Sequence, residues 1–182
     1  MKRWKKWEMA LLLGLCAALI WGAWAAQRQD ALAQKMIRLH VIANSDSDAD
    51  QALKLKVRDK VLDFTTNVLQ RSENMEDAQR QLQDALGRIE NIALREIVDQ
   101  GYEYSVTAQL TSAEFPLKEY DGFSLPAGEY TALRLVIGDG AGRNWWCVVY
   151  PPLCTSGVET AQEAAVLSDD DVKLITEDGE GY

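Results

Sequence analysis

Residues 9–26 carry no charge, and they stand directly behind Lys2, Arg3, Lys5, Lys6 and Glu8. A basic start followed by an apolar run is the pattern of an export signal. The positive-inside bias keeps the cations in the cytosol and sends the rest of the chain across the membrane. As a helix these 18 residues would measure about 27 Å at ~1.5 Å per residue, just short of the roughly 20 residues of a comfortable span. Two readings stay open. Ala23-Trp24-Ala25 places small residues where cleavage after Ala25 requires them. Trp21 and Trp24 suit the interface end of a retained anchor. Lipid attachment at Cys16 is disfavoured, because Leu15 precedes it where a small residue is needed. In both main readings residues 1–26, signal peptide or membrane anchor, lie outside the folding argument. Residues 27–35 read as a short polar linker.

The remaining 156 residues are enough for one domain with its own core. Setting aside the four cations and Glu8 takes the net charge from −9 to −12. Such acidity argues against nucleic acid, whose phosphates need Lys and Arg, and against docking of the domain on anionic lipid. Two cysteines remain, Cys147 and Cys154. An even pair in an exported chain permits a disulfide. Seven positions separate them and Pro151-Pro152 stiffens the path, so two buried thiols are the competing reading.

The period of the apolar positions changes along the chain. Ile37-Arg38-Leu39-His40-Val41-Ile42 reads as a strand. Asn44-Ser45-Asp46-Ser47-Asp48-Ala49-Asp50 is turn and cap chemistry. Asp48 with Gln51 three residues on forms a capping-box pattern, so a helix is expected from there to Leu69. Leu53, Val57, Val61, Phe64 and Val68 make one stripe on it, and Leu55, Leu62 and Leu69 a second on nearly the opposite side. A surface helix has one stripe, so this one calls for cover on both sides. A second helix is expected over 75–100, capped by Asn74 and stopped at Gly101. Strands are expected over 102–110, 115–120, 130–137 and 144–150. The last two are read as hairpin partners joined by the glycine-rich stretch 138–143. Residues 155–182 read as an acidic, mobile tail, in which Ser168-Asp169-Asp170-Asp171 caps one short helical turn. The order predicts an α+β domain over 36–154: two helices on one face of a mostly antiparallel sheet, after the N-terminal signal or anchor helix.

Catalytic chemistry is thin. His40 is the single histidine, and a serine or cysteine nucleophile usually needs such a base held by a third group. Cys147 with His40 is the best pair available, with nothing in the spacing to support it. Asp46, Asp48 and Asp50 alternate as at the opening of a calcium loop, but Gln51 and Val57 stand where glycine and glutamate are required. One His and no close Cys pair leave no zinc motif. Gly138, Gly140 and Gly142 lead into a strand, whereas a dinucleotide fingerprint opens a helix. The sequence therefore predicts no metal, no cofactor and no catalytic residue. Its unusual feature is Trp145-Trp146-Cys147-Val148-Val149-Tyr150, apolar on both faces. Either both faces are covered, or one is a recognition patch.

Two blocks of residues resemble a known family. Ile37-Arg38-Leu39-His40-Val41-Ile42-Ala43-Asn44-Ser45-Asp46-Ser47, with Asp50-Gln51, Leu53-Lys54 and Val57-Arg58-Asp59, is similar to the opening of the stage II sporulation protein R family. So is Leu125-Pro126-Ala127-Gly128-Glu129-Tyr130, leading to Asn144-Trp145-Trp146-Cys147 and Pro151-Pro152-Leu153-Cys154. The resemblance covers about residues 36–154. It implies a signalling protein of endospore formers, secreted to the space between forespore and mother cell, or anchored with its domain outside the cytoplasm. The implied partner is a membrane-embedded aspartic protease of the mother cell, which processes the sigma-E precursor. The resemblance brings no catalytic residues with it.

Two surfaces are candidates for partner contact. One is Asn44, Asp46, Asp48 and Asp50 with Arg58. The other is Trp145, Trp146 and Tyr150 with Arg143. Each residue also has a plain reading as cap, turn or core. The rival functions are an exported hydrolase using Cys147 with His40 or the aspartates, and a structural septal protein.

Overall fold

A computed structural model describes residues 2–120, 122–154 and 167–177. The elements are α1 (Lys2–Ala33), β1 (Ile37–Ile42), α2 (Asp48–Leu69), α3 (Met75–Asp99), β2 (Val106–Phe115), β3 (Lys118–Tyr120), β4 (Phe123–Leu125), β5 (Gly128–Ile137), β6 (Asn144–Tyr150) and α4 (Asp169–Glu177). The main sheet has the order β2-β5-β1-β6, and β3-β4 form a separate hairpin. The class is the expected α+β, with a mostly antiparallel sheet behind an N-terminal apolar helix.

The α3 pattern forms as read. Asn74 caps it, its side chain accepting from the Asp77 N–H over 2.9 Å. Ala78, Leu82, Ala85, Ile89, Ala93 and Ile97 are all fully buried, at the three- and four-residue steps of a single helical stripe. Gly101, at φ +84°, lets the chain turn so that the Tyr102 N–H reaches the Ile97 carbonyl over 3.0 Å, a glycine stop of the Schellman kind.

α2 departs from expectation. Its first stripe is buried at Leu53, Val57 and Val61, but Leu55 of the second stripe is 40% exposed and Leu62 only half-buried. Leu69 of that second stripe is nonetheless buried and Leu62 packs against the same core, so Leu55 is the member of the stripe left to solvent. Its cap also differs. Ser47, one residue before Asp48, accepts from the Asp50 N–H over 3.2 Å. Gln51 turns outward from the box to donate to the Ser45 carbonyl over 2.9 Å.

The expected β5–β6 hairpin does not form. β1 lies between them, parallel to β5 with Leu39 opposite Leu133, and antiparallel to β6 with Leu39 opposite Cys147. Residues 138–143 therefore cross the end of β1. The cause is burial: Leu39 and Val41 are fully inaccessible, and the central position of the sheet is where such a strand loses most apolar surface to its neighbours.

Both faces of the sheet are covered. α2 and α3 pack on one face over Ile37, Leu39, Val41, Leu133 and Leu135. On the other, Leu32, Ala33 and Met36 join Phe115, Leu125, Tyr130, Val148, Leu167 and Ile175 in a second core. Two expectations change here. The segment 27–35 is no free linker, since α1 runs through Ala33 and its end is buried. The described part of the expected mobile tail is a docked helix, α4, tied to the end of α1 by Lys35–Asp171 at 2.5 Å; residues 155–166 and 178–182 lie outside the described residues. Arg38 is the surprise of this second core. It is fully buried, with its guanidinium 4.1 Å from the Phe115 ring centroid and 4.8 Å from that of Tyr130. Cation–π attraction offsets part of its desolvation. One nitrogen donates to the Tyr120 hydroxyl over 3.0 Å, and the other two find no acceptor among the described residues.

Candidate partner-binding surface

The two candidate surfaces read from the sequence meet at one end of the sheet. The first is built on the N-terminus of α2. Asp50 is buried, and its carboxylate accepts from Ser45 Oγ over 2.5 Å and from Asn44 Nδ2 over 2.9 Å. Those two bonds hold its pKa below the usual 3.8, against the opposing effect of burial. Asn44 is thereby oriented, and its Oδ1 accepts the Asp139 N–H from the neighbouring loop over 3.0 Å.

The second loop, residues 138–143, locks into the first. Gly138 and Gly140 adopt φ of +56° and +62°, the left-handed region that glycine enters without steric cost. The Ala141 and Gly142 N–H groups donate to the Asn44 and Ala43 carbonyls over 3.0 and 2.9 Å. Gly142 packs so closely that a Cβ there would overlap the Ser45 carbonyl. Lys54, also buried, completes the joint. Its Nζ donates to the Arg143 carbonyl over 2.8 Å and to Gln51 Oε1 over 2.7 Å. Burial first, then the Arg143 charge, pushes the Lys54 pKa down. The role of Lys54 was not anticipated; a lysine amid a helix's apolar stripe, one position after Leu53, was the available signal.

What this frame displays to solvent is charged and aromatic. The side chains of Asp46 and Arg143 are 65% and 68% exposed and 3.6 Å apart. Arg58 lies over the Trp145 ring at 4.6 Å and is also paired with Asp59. Asp48 is exposed. Trp145 and Trp146 are half-buried, and with Tyr120, Phe123 and Leu153 they line a cleft of about 400 Å³. Tyr150 is 4% exposed and belongs to the helix-side core, so it is removed from the contact candidates. Asp50 likewise serves the frame rather than the surface.

His40 and Cys147 are not brought together. His40 stands opposite Trp146, and Cys147 opposite Leu39, so their side chains leave opposite faces of the sheet. Burial, followed in effect by the charges of Arg134 and Arg38, keeps His40 below its usual pKa, partly offset by a bond with Asn144. Its Nε2 is buried without a partner among the described residues, and its neighbours are the Phe115 and Trp146 rings at 5.9 and 6.0 Å. Cys147 pairs with Cys154, Cα to Cα 6.1 Å, within the range a disulfide spans. Among the described residues no three His, Cys, Asp or Glu side chains gather at one point.

The family model of stage II sporulation protein R matches residues 33–160, which include every residue of this surface. The chain belongs to the stage II sporulation protein R family. Stage II sporulation protein R of Bacillus subtilis (strain 168) is 41% identical over 118 residues, 65% of this chain and 53% of that relative. The chain thus spans about half the length of the curated relative it matches. No solved structure matches. Within the family match fall both interlocked loops, both tryptophans and both paired cysteines. α4 and most of α1 fall outside it.

Proposed function

We propose that this sporulation-family protein is a non-enzymatic exported signal. Its domain binds the outward-facing part of a membrane-embedded aspartic protease of the mother cell and shifts it toward an active state, which leads to processing of the sigma-E precursor. α1 holds the domain at the membrane, outside the cytoplasm. Family membership supports the reading most directly. The single structural observation that favours it is the joining of two separate chain segments into one surface patch, the exposed Asp46–Arg143 pair beside the half-buried Arg58–Trp145 stack. Tryptophan and arginine are the residue types in which binding energy concentrates. To activate, the patch must bind the active form more tightly than the inactive one. His40 leaves the opposite face of the sheet from Cys147, so the thiol–imidazole pair of the hydrolase reading is not assembled.

The test is reconstitution of the protease and its precursor in vesicles, with and without the domain. Faster precursor cleavage with the domain present is the expected result. Turnover of a substrate by the purified domain alone, abolished by Asp48→Ala or Cys147→Ser, would favour the hydrolase reading instead. Binding to a septal neighbour without any change in cleavage would favour the structural one.

A further inference from the structure

α1 does not end where its apolar run ends. Residues 6–33 form one helix long and apolar enough to cross a membrane, with none of its apolar window buried in the protein. The same helix continues past Ala26 until Leu32 and Ala33, with Met36 just beyond, are buried in the second core. Arg28–Asp170 at 3.6 Å and Lys35–Asp171 at 2.5 Å fasten that end to α4. The span and the domain therefore share one continuous, docked helix, and the domain's height along it is fixed.

That height sets the β2–β3 loop beside the apolar run. A cleft of about 660 Å³ lies between α1 and this loop, lined by Trp21, Trp24, Arg28, Leu117 and Leu174 among others. Trp21 is 71%, Trp24 49% and Leu117 57% exposed. Trp21 stands five residues before Ala26, about 7.5 Å inside the apolar run at ~1.5 Å per residue. Tryptophans at that depth belong to the interfacial belt of a bilayer. Along α1 the cleft passes from Trp21 and Trp24 to Arg28, apolar on the membrane side and charged on the other.

We propose that the Leu117 loop is a second membrane contact: with α1 inserted, Leu117 lies in the outer lipid interface and the bilayer closes the open side of the Trp21–Trp24 cleft. This rests on the reading of α1 as a retained anchor. The occupant is lipid because the cleft is continuous with the apolar run. The contact is apolar burial rather than headgroup charge, since the domain is acidic and Glu119 also lines the cleft. β5 starts two residues after the cleft's Pro126 and ends at Ile137, where the 138–143 loop begins. The partner-binding surface and the lipid contact thus sit at opposite ends of β5.

The experiment uses the full chain in phosphatidylcholine vesicles, with Cys16→Ser removing the free thiol. An environment-sensitive fluorophore is attached to Leu117→Cys, to Leu13→Cys within the apolar run, or to Val98→Cys, an exposed α3 position on the other face of the sheet. The expected result is a blue-shifted Leu117 probe that loses most of its quenching by aqueous iodide and is quenched by a shallow spin-labelled lipid, while the position 98 probe behaves as in water. A probe at 13 in lipid with the probe at 117 in water overturns the loop contact and leaves the span standing. Probes at 13 and 117 both in water overturn the anchor reading and the loop contact with it. Insertion of 117 only when phosphatidylglycerol is added overturns the apolar character of the contact.

Discussion

The Arg143 N–H donates to Asp46 Oδ1 over 2.7 Å, across 97 positions of sequence. That bond, with the Lys54 contact to the Arg143 carbonyl, makes the α2 cap and the 138–143 loop a single rigid edge. The functional account depends on that rigidity, because a preorganised surface loses less entropy on binding.

Gly142→Ala should break the joint. The added methyl meets the Ser45 backbone carbonyl, which cannot swing aside as a side chain tip would. Overpacking of this kind costs about 1–3 kcal/mol. Urea unfolding of the domain should show the loss as a lower midpoint at unchanged slope.

Acid should weaken the fold in two stages. His40 has its folded pKa below the ordinary 6.5, so the unfolded chain takes up the proton first. Stability then falls from about pH 6.5 downward, until the folded pKa is passed. Asp50 also has a lowered folded pKa, and its contribution is present above the ordinary 3.8 and lost as pH drops through the folded value. Stability measured by urea unfolding against pH should lose the upper stage in His40→Gln, while the lower one should shrink but persist in Asp50→Asn, because Asp171, its pKa lowered against burial by Lys35 and Ser168, titrates there too.

Reduction should loosen the domain without silencing it. Closing the short loop between Cys147 and Cys154, seven positions apart, is worth about 2.5 kcal/mol on the chain-entropy model. Cys147→Ser with Cys154→Ser should lower the unfolding free energy by roughly that amount, and wild type in reductant should match it. Precursor cleavage by the reconstituted protease should still respond to the folded variant.

Much of this architecture was legible in the residues, and the exceptions share a physical cause. α3 announces itself through a single stripe and a capped start, both local properties. β6 is bounded by Arg143-Asn144 on one side and Pro151-Pro152 on the other. The insertion of β1 between β5 and β6 was not legible, because strand order depends on long-range burial and a glycine-rich connection fits a hairpin equally well. The burial of Arg38 was not legible either, since nothing near it in sequence reveals the aromatic cover from Phe115 and Tyr130. The surface residues Asn44, Asp46, Arg58, Arg143 and Trp145 were nameable from the sequence as two groups. That they form one surface follows only from the crossing of residues 138–143 over β1.

Arg58→Ala combined with Arg143→Ala tests the surface itself most directly. Arg143 is largely exposed, whereas Arg58 is mostly covered and lies over the Trp145 ring, so the double variant should lose about 1–2 kcal/mol of stability, mainly from the stacking contact, and remain folded. In the reconstituted system the wild-type domain should accelerate precursor cleavage, and the double variant should need roughly tenfold more protein for the same effect, equivalent to about 1.4 kcal/mol of binding. A folded double variant that activates as well as wild type, or a cleavage rate indifferent to the domain, would contradict the account.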